Sequence, residues 1–166
     1  MQKRALHALF LGLVVTAGAY GTAAEEASTD ASRIEATARQ FFRVLQDYDF
    51  AGMRAAATPQ FELLDQAARP DIAAFVAEMR DERQPQGFRY HFELSKFNTV
   101  VTPEVAYTIF HVHEIVTNSS IKNQDHSTDS TTCMILRRVG KRWLVDRLFH
   151  VPFRSEDEAK KGSVEF

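Results

Sequence analysis

Two histidines separated by one residue, His111 and His113, are the first candidates for chemistry in this chain. On a strand, residues two apart share a face, and a pair of imidazoles so placed is a spacing that zinc and copper sites use. A complete site takes three or four ligands with supporting groups behind them. Glu114 points to the opposite face, and His126 lies in a polar stretch at no defined distance. No metal is therefore expected, and the preferred reading puts these histidines at a subunit interface. Asp146 and His150 also share strand parity and could form an acid–base pair. Asp47 and Asp49 suggest paired carboxylates, but their place at a helix junction fits turn and capping duty better. Cys133 is alone, which excludes an internal disulfide, and it reads as a small buried hydrophobe. No nucleophile motif, glycine-rich phosphate loop or pair of catalytic carboxylates is present, and no cofactor is implied.

The elements that must position these groups fall into two halves. Phe88–Asn98, Val105–Thr117, Thr131–Val139 and Arg142–Phe153 read as four strands, separated by turn residues at 102–104, a polar loop at 118–130, and Gly140-Lys141. In the first, Phe88, Tyr90, Phe92 and Leu94 alternate with polar residues, His91 among them. The second and last are apolar on both faces. Trp143, Val145, Arg147, Phe149, Val151 and Phe153 oppose Leu144, Asp146, Leu148 and His150. Upstream, Ser32 and Glu35 fit a capping box that starts a helix with Ile34, Ala38, Phe41, Phe42 and Leu45 as its apolar stripe. Phe50 to Ala57 reads as a short second helix ended by Thr58-Pro59, and 61–64 as a short strand. Pro70 opens a third helix, with Ile72, Phe75, Val76 and Met79 on its buried side.

A length of 166 residues suits one domain, and 13 Phe residues supply large side chains for its core. The net charge of -2 offers no broad basic surface, so no nucleic-acid partner is expected. Lys3 and Arg4, the apolar or small run from Ala5 to Ala19, and the small residues 21–24 have the form of an exported protein's signal peptide. The apolar run is short for a spanning helix, which needs about 20 residues. The expected division is a signal peptide at 1–24, a flexible tether at 25–31, a folded domain at 32–153 and a polar tail at 154–166. Export to the periplasm or the medium follows, with no stable membrane anchor after cleavage.

The Phe41-Phe42 helix followed by Asp47 and Phe50, the strand start at Glu104-Val105-Ala106-Tyr107, and the closing run from Leu136 to Val145 resemble the SnoaL-like, nuclear transport factor 2-like superfamily. The resemblance spans about Ser32 to Phe153. It implies an α+β fold in which N-terminal helices pack on a strongly curved antiparallel sheet, a cystatin-like cone. Fold does not fix activity, and this superfamily holds dehydratases, isomerases, cyclases, hydrolases and transport factors. Members often carry a His six residues after the strand's Trp and a Ser two later. Here those positions are Phe149 and Val151. Strict alternation puts His150 on the opposite face.

The cone interior so implied is lined by Phe41, Phe42, Phe61, Tyr90, Phe92, Phe110, Trp143, Arg147 and Phe149. The leading expectation is an exported domain that binds a small, largely apolar molecule there. A cofactor-free isomerase, dehydratase or hydrolase is the alternative, with Arg147 as electrophilic stabiliser, Tyr90 as hydrogen-bond donor and Tyr48 near the cone mouth. The blander role for Arg147 is an ion pair with a carboxylate such as Asp65 or Glu78. A third reading is a structural module whose cone is filled by its own Phe side chains. The residues do not decide whether the chain is an enzyme. Because helices can cover only one side of the sheet, the second apolar side needs a partner, and a homodimer through the outer sheet face is expected.

Overall fold

The computed structural model describes residues 18–64, 71–118 and 126–152. The first helix, α1 (Gly18–Gln46), buries the expected stripe of Ile34, Ala38, Phe41, Phe42 and Leu45. It does not begin at Ser32. Helix runs unbroken through 25–31, the stretch expected to be a tether, because its Ala and Glu residues are good helix formers and no Gly or Pro interrupts it. The first seventeen residues of the leader, Phe153 at the end of the expected domain, and the tail at 154–166 lie outside the described residues.

Tyr48, in left-handed conformation (φ 54°), ends α1. The Tyr48 N–H donates to the Leu45 carbonyl and the Asp49 N–H to the Val44 carbonyl, a Schellman-type stop. Asp49 then caps α2 (Phe50–Ala56) by accepting from the Gly52 N–H at 2.8 Å. A Cβ at Gly52 would meet that carboxylate at 2.3 Å, so the tight cap depends on glycine. Strand β1 (Ala57–Leu64) follows, longer than the expected 61–64. Asp71 caps α3 (Ile72–Glu78), accepting from the Ala74 N–H at 2.7 Å. One π-helical turn, Met79–Arg83, continues α3 and is closed by the Gln84 N–H donating to the Met79 carbonyl.

Strands β2 (Phe88–Val101), β3 (Val105–Asn118), β4 (His126–Val139) and β5 (Arg142–Pro152) form an antiparallel meander. β1 adds in parallel beside β5, giving the order β1-β5-β4-β3-β2 and a mixed sheet. β4 begins five residues before the expected Thr131, within the supposed loop. Its Ser, Thr and Asp residues pair with β3 despite a loop-like composition.

Helices α1 to α3 cover the inner face, where Phe41, Phe61, Phe110, Met134, Leu136 and Val145 are fully buried. Phe110 stacks on Phe97 at 4.8 Å and meets Phe42 edge-on at 5.8 Å. Such pairs favour one arrangement of a core beyond what burial alone contributes.

Two β-bulges change which way side chains point. On β2, Lys96 and Phe97 together oppose Phe110, with Lys96 in left-handed conformation. On β5, Asp146 is the extra residue between Val145, opposite Leu136, and Arg147, opposite Ile135. Trp143 and Val145 face the core before this bulge, and Leu148 faces it after. Strict alternation along β5, as read from the sequence, therefore fails at Asp146.

Candidate functional site

The β5 bulge brings Leu148 and His150 to the wall of a cavity of about 300 Å³ between the helices and the far end of the sheet. Phe42 and Leu45 of α1, Leu63 of β1, and Phe75 and Met79 of the third helical segment form much of its apolar lining. Phe92 and Val116 complete that lining. Tyr90, Glu114, His150, Glu78 and Arg83 supply its polar groups.

The polar groups are held by local geometry. Met79–Arg83 is π-helical, a conformation often found at functional sites. It lets Arg83 reach back five residues, so that Nε and Nη2 each lie 3.2 Å from Glu78 Oε1. The same guanidinium sits over the Phe88 ring at 5.4 Å. Tyr90 lies parallel to Phe92 at 5.9 Å and beside Tyr48 at 6.1 Å, and the Tyr48 hydroxyl donates to the Phe88 carbonyl. His150 Nδ1 is 3.2 Å from Thr132 Oγ1, which orients the ring from the neighbouring strand.

Glu114 stands between Val112 and Val116 on the inner face of β3. Burial pushes its carboxyl above the usual range, and Arg83 only partly opposes that. Burial likewise pushes the Tyr90 hydroxyl up to about 12, with Arg83 opposing. Tyr48 is raised for the same reason. The cavity thus holds a tyrosine that stays a hydrogen-bond donor and a carboxyl whose proton is retained longer than in water. It could present donors to a carbonyl, or exchange a proton with a bound molecule.

Of the residues expected to line the cone, Phe42, Tyr90 and Phe92 are brought together at this cavity. Phe41, Phe61 and Phe110 lie in the solid core beside it. Trp143 is buried elsewhere, under the Arg138 guanidinium at 4.7 Å, beside a groove with Arg33, Lys141 and Arg142. Arg147 and Phe149 are on the outer face, because the bulge reverses their direction. Arg147 pairs with Glu62, its direct neighbour on β1, and Phe149 sits between Leu64 and Cys133. Asp65, one of its two suggested partners, lies outside the described residues, and Glu78 is engaged by Arg83.

Asp146 is buried and accepts from Thr58 Oγ1 at 2.8 Å and Arg137 Nη2 at 3.2 Å, so its role is to pin the bulge to β1. His111 and His113 share the outer face. Among the described residues no group of three His, Cys, Asp or Glu could hold a metal ion. Cys133 is half-buried on that face. Sequence reasoning missed Glu114, His150, Glu78 and Arg83 as cavity residues. Glu114 had a signal, since a carboxylate sharing parity with Phe110, Val112 and Val116 must face the core.

The fold matches solved structures at low sequence identity. A provisionally assigned scytalone dehydratase from Novosphingobium aromaticivorans superposes with a TM-score of 0.68 at 13% identity, covering 76% of this chain and 85% of that one. An NTF2-like protein with a cystatin-like fold from the same organism gives 0.64 at 13%, over 90% and 97%. An NTF2-like superfamily protein from Salmonella enterica gives 0.69 at 11%, over 84% and 98%. No family model and no curated protein matches the sequence. The chain has the nuclear transport factor 2-like, cystatin-like cone fold.

Proposed function

We propose that this domain binds a compact, largely apolar molecule that carries a carbonyl or hydroxyl group. The supporting observation is the cavity of about 300 Å³, walled by Phe, Leu, Met and Val, into which Tyr90 and Glu114 bring hydrogen-bonding groups. Its volume is at the lower end of the roughly 300–1,000 Å³ of ligand pockets, which suits a small ring system. Leu148→Trp should fill the cavity, and Tyr90→Phe should remove one donor without opening a void. Native mass spectrometry and thermal-shift screening with small cyclic ketones and phenols test the idea. Ligand-dependent stabilisation in the parent, weakened in Tyr90→Phe and abolished in Leu148→Trp, is expected. Equal stabilisation of all three proteins would refute it.

Acid–base catalysis is the second reading, favoured by the raised carboxyl of Glu114 and by His150 on the same cavity wall. The provisionally assigned dehydratase among the similar structures is compatible with it. Deuterium exchange into a bound ketone, lost in Glu114→Gln, separates catalysis from binding alone.

We further propose a homodimer through the apolar half of the outer face, where Val100, Tyr107 and Ile109 are exposed beside Ile135. Ile109→Glu should halve the mass measured by light scattering; a parent that is monomeric at all concentrations refutes it. Export, proposed from residues 1–24, predicts a mature chain lacking Met1–Ala24, which N-terminal sequencing of protein recovered outside the cytoplasm would check.

A further inference from the structure

At the end of the outer face away from Tyr107 and Ile109, three side chains stand in line. His113 is paired across the ladder with Asp129, and its Nδ1 lies 3.0 Å from Asp129 Oδ1. Its Nε2 lies 3.3 Å from Ser127 Oγ. Ser127 and Asp129 are two apart on β4, so both project to this face and the imidazole spans them. A carboxylate accepts hydrogen bonds, so the neutral tautomer that suits these contacts carries its proton on Nδ1 and keeps the lone pair on Nε2. The Ser127 hydroxyl then donates to Nε2. These are the contacts by which an orienting acid and a general base activate a serine, an arrangement recognised by geometry and not by sequence position.

We propose that Ser127, His113 and Asp129 form a second site, separate from the cavity, in which Ser127 is a nucleophile toward activated acyl esters. Ser127 Oγ adds to the ester carbonyl carbon while its proton passes to His113 Nε2. The tetrahedral adduct collapses by breaking the carbon–oxygen bond to the leaving alcohol, which takes that proton. Water then attacks the acyl-serine with His113 again as base, releasing the acid and restoring Ser127. Asp129 stays ionised and stabilises the imidazolium in both halves. Glu93, opposite His113 on β2, adds a second negative charge near the ring while engaging His91 at 3.7 Å.

Ile115, opposite Ser127 and half-buried on the same face, gives a short acyl chain an apolar footing. The site is open: the His113 and Asp129 side chains are 37% and 68% exposed. Electrostatic stabilisation acts most strongly where water is excluded, so turnover is slow and formation of the covalent serine adduct is the sensitive readout.

The test treats the full chain with a fluorophosphonate probe and with p-nitrophenyl acetate. Ser127 Oγ attacks phosphorus and displaces fluoride, so mass spectrometry of the digested protein should locate the phosphonyl group on Ser127. The labelling rate should fall by at least about tenfold in His113→Gln and in Asp129→Asn, the scale of a general-base contribution. Acetate release should vanish in Ser127→Ala, whose exposed site leaves the melting temperature unchanged. Labelling of Ser127 no faster than of other serines, or a rate indifferent to His113→Gln, would overturn the proposal and leave the trio as a cross-strand hydrogen-bond link.

Discussion

Replacing Asp146 tests whether a single buried carboxylate fixes the side-chain phase of β5. Its side chain is 3% exposed, yet it receives hydrogen bonds from Thr58 Oγ1 and Arg137 Nη2, and Arg147 Nε approaches to 4.0 Å. In Asp146→Ala the Thr58 hydroxyl, itself buried, loses its acceptor, at a cost of about 1–3 kcal/mol. Half of the Arg137 side chain is in solvent, so its share is discounted to at most about 1 kcal/mol. The sum is about 1–4 kcal/mol, a large part of the roughly 5–15 kcal/mol that holds a domain folded. Asp146→Asn keeps an acceptor for Thr58 and should lose only about 1–2 kcal/mol. Desolvation alone would raise the Asp146 pKa, but the hydrogen bonds from Arg137 and Thr58 and the nearby guanidinium charges outweigh it, and the net shift is downward. The unfolded chain therefore binds the proton more tightly, so this increment is present above the unfolded value of about 3.9 and lost as pH falls through the folded one. Urea denaturation of parent and Asp146→Asn across about pH 2 to 6 should show a stability gap that closes in acid. A gap under about 0.5 kcal/mol at neutral pH, or one that stays constant into acid, refutes the reasoning.

Glu114 works with the opposite sign. Burial raises its pKa in the folded state, so stability falls as pH rises from the unfolded value through the folded one. Glu114→Gln should be more stable than the parent in mildly alkaline buffer and indistinguishable below the unfolded value; a less stable variant at alkaline pH would contradict this. Phe110→Ala should cost about 3–5 kcal/mol, since Phe110 is fully buried against Phe97 and Phe42, and a denaturation midpoint near that of the parent would show the core is not packed as described. Lys96→Gly should stabilise slightly, by up to about 1 kcal/mol, because a left-handed backbone costs a side-chain-bearing residue about 1–2 kcal/mol and glycine returns part of that in chain entropy. Calorimetry showing marked destabilisation would mean the bulge needs the lysine side chain.

The elements were legible because each carries a local signal: the stripe at Ile34, Ala38, Phe41, Phe42 and Leu45, the alternation from Phe88 to Leu94, and Gly140 in the left-handed turn before β5. The site was not, because a cavity depends on phase, and phase is a long-range property of a strand. One inserted residue at Asp146 turns Arg147 and Phe149 outward and Leu148 and His150 inward. The three preceding apolar residues of β5, Trp143 to Val145, contain nothing that announces it. β4 failed for a related reason. Ser127 to Ser130 reads as loop by composition, yet pairing with Val112 to Ile115 makes it strand. The constellation of Ser127, His113 and Asp129 was hidden with it. In both cases a polar residue interrupts an otherwise regular pattern and is held by partners distant in sequence, Thr58 for Asp146 and His113 for Asp129. Polar interruptions of this kind are where period-two reasoning should stop assigning faces, and in this domain they are also where the candidate chemistry lies.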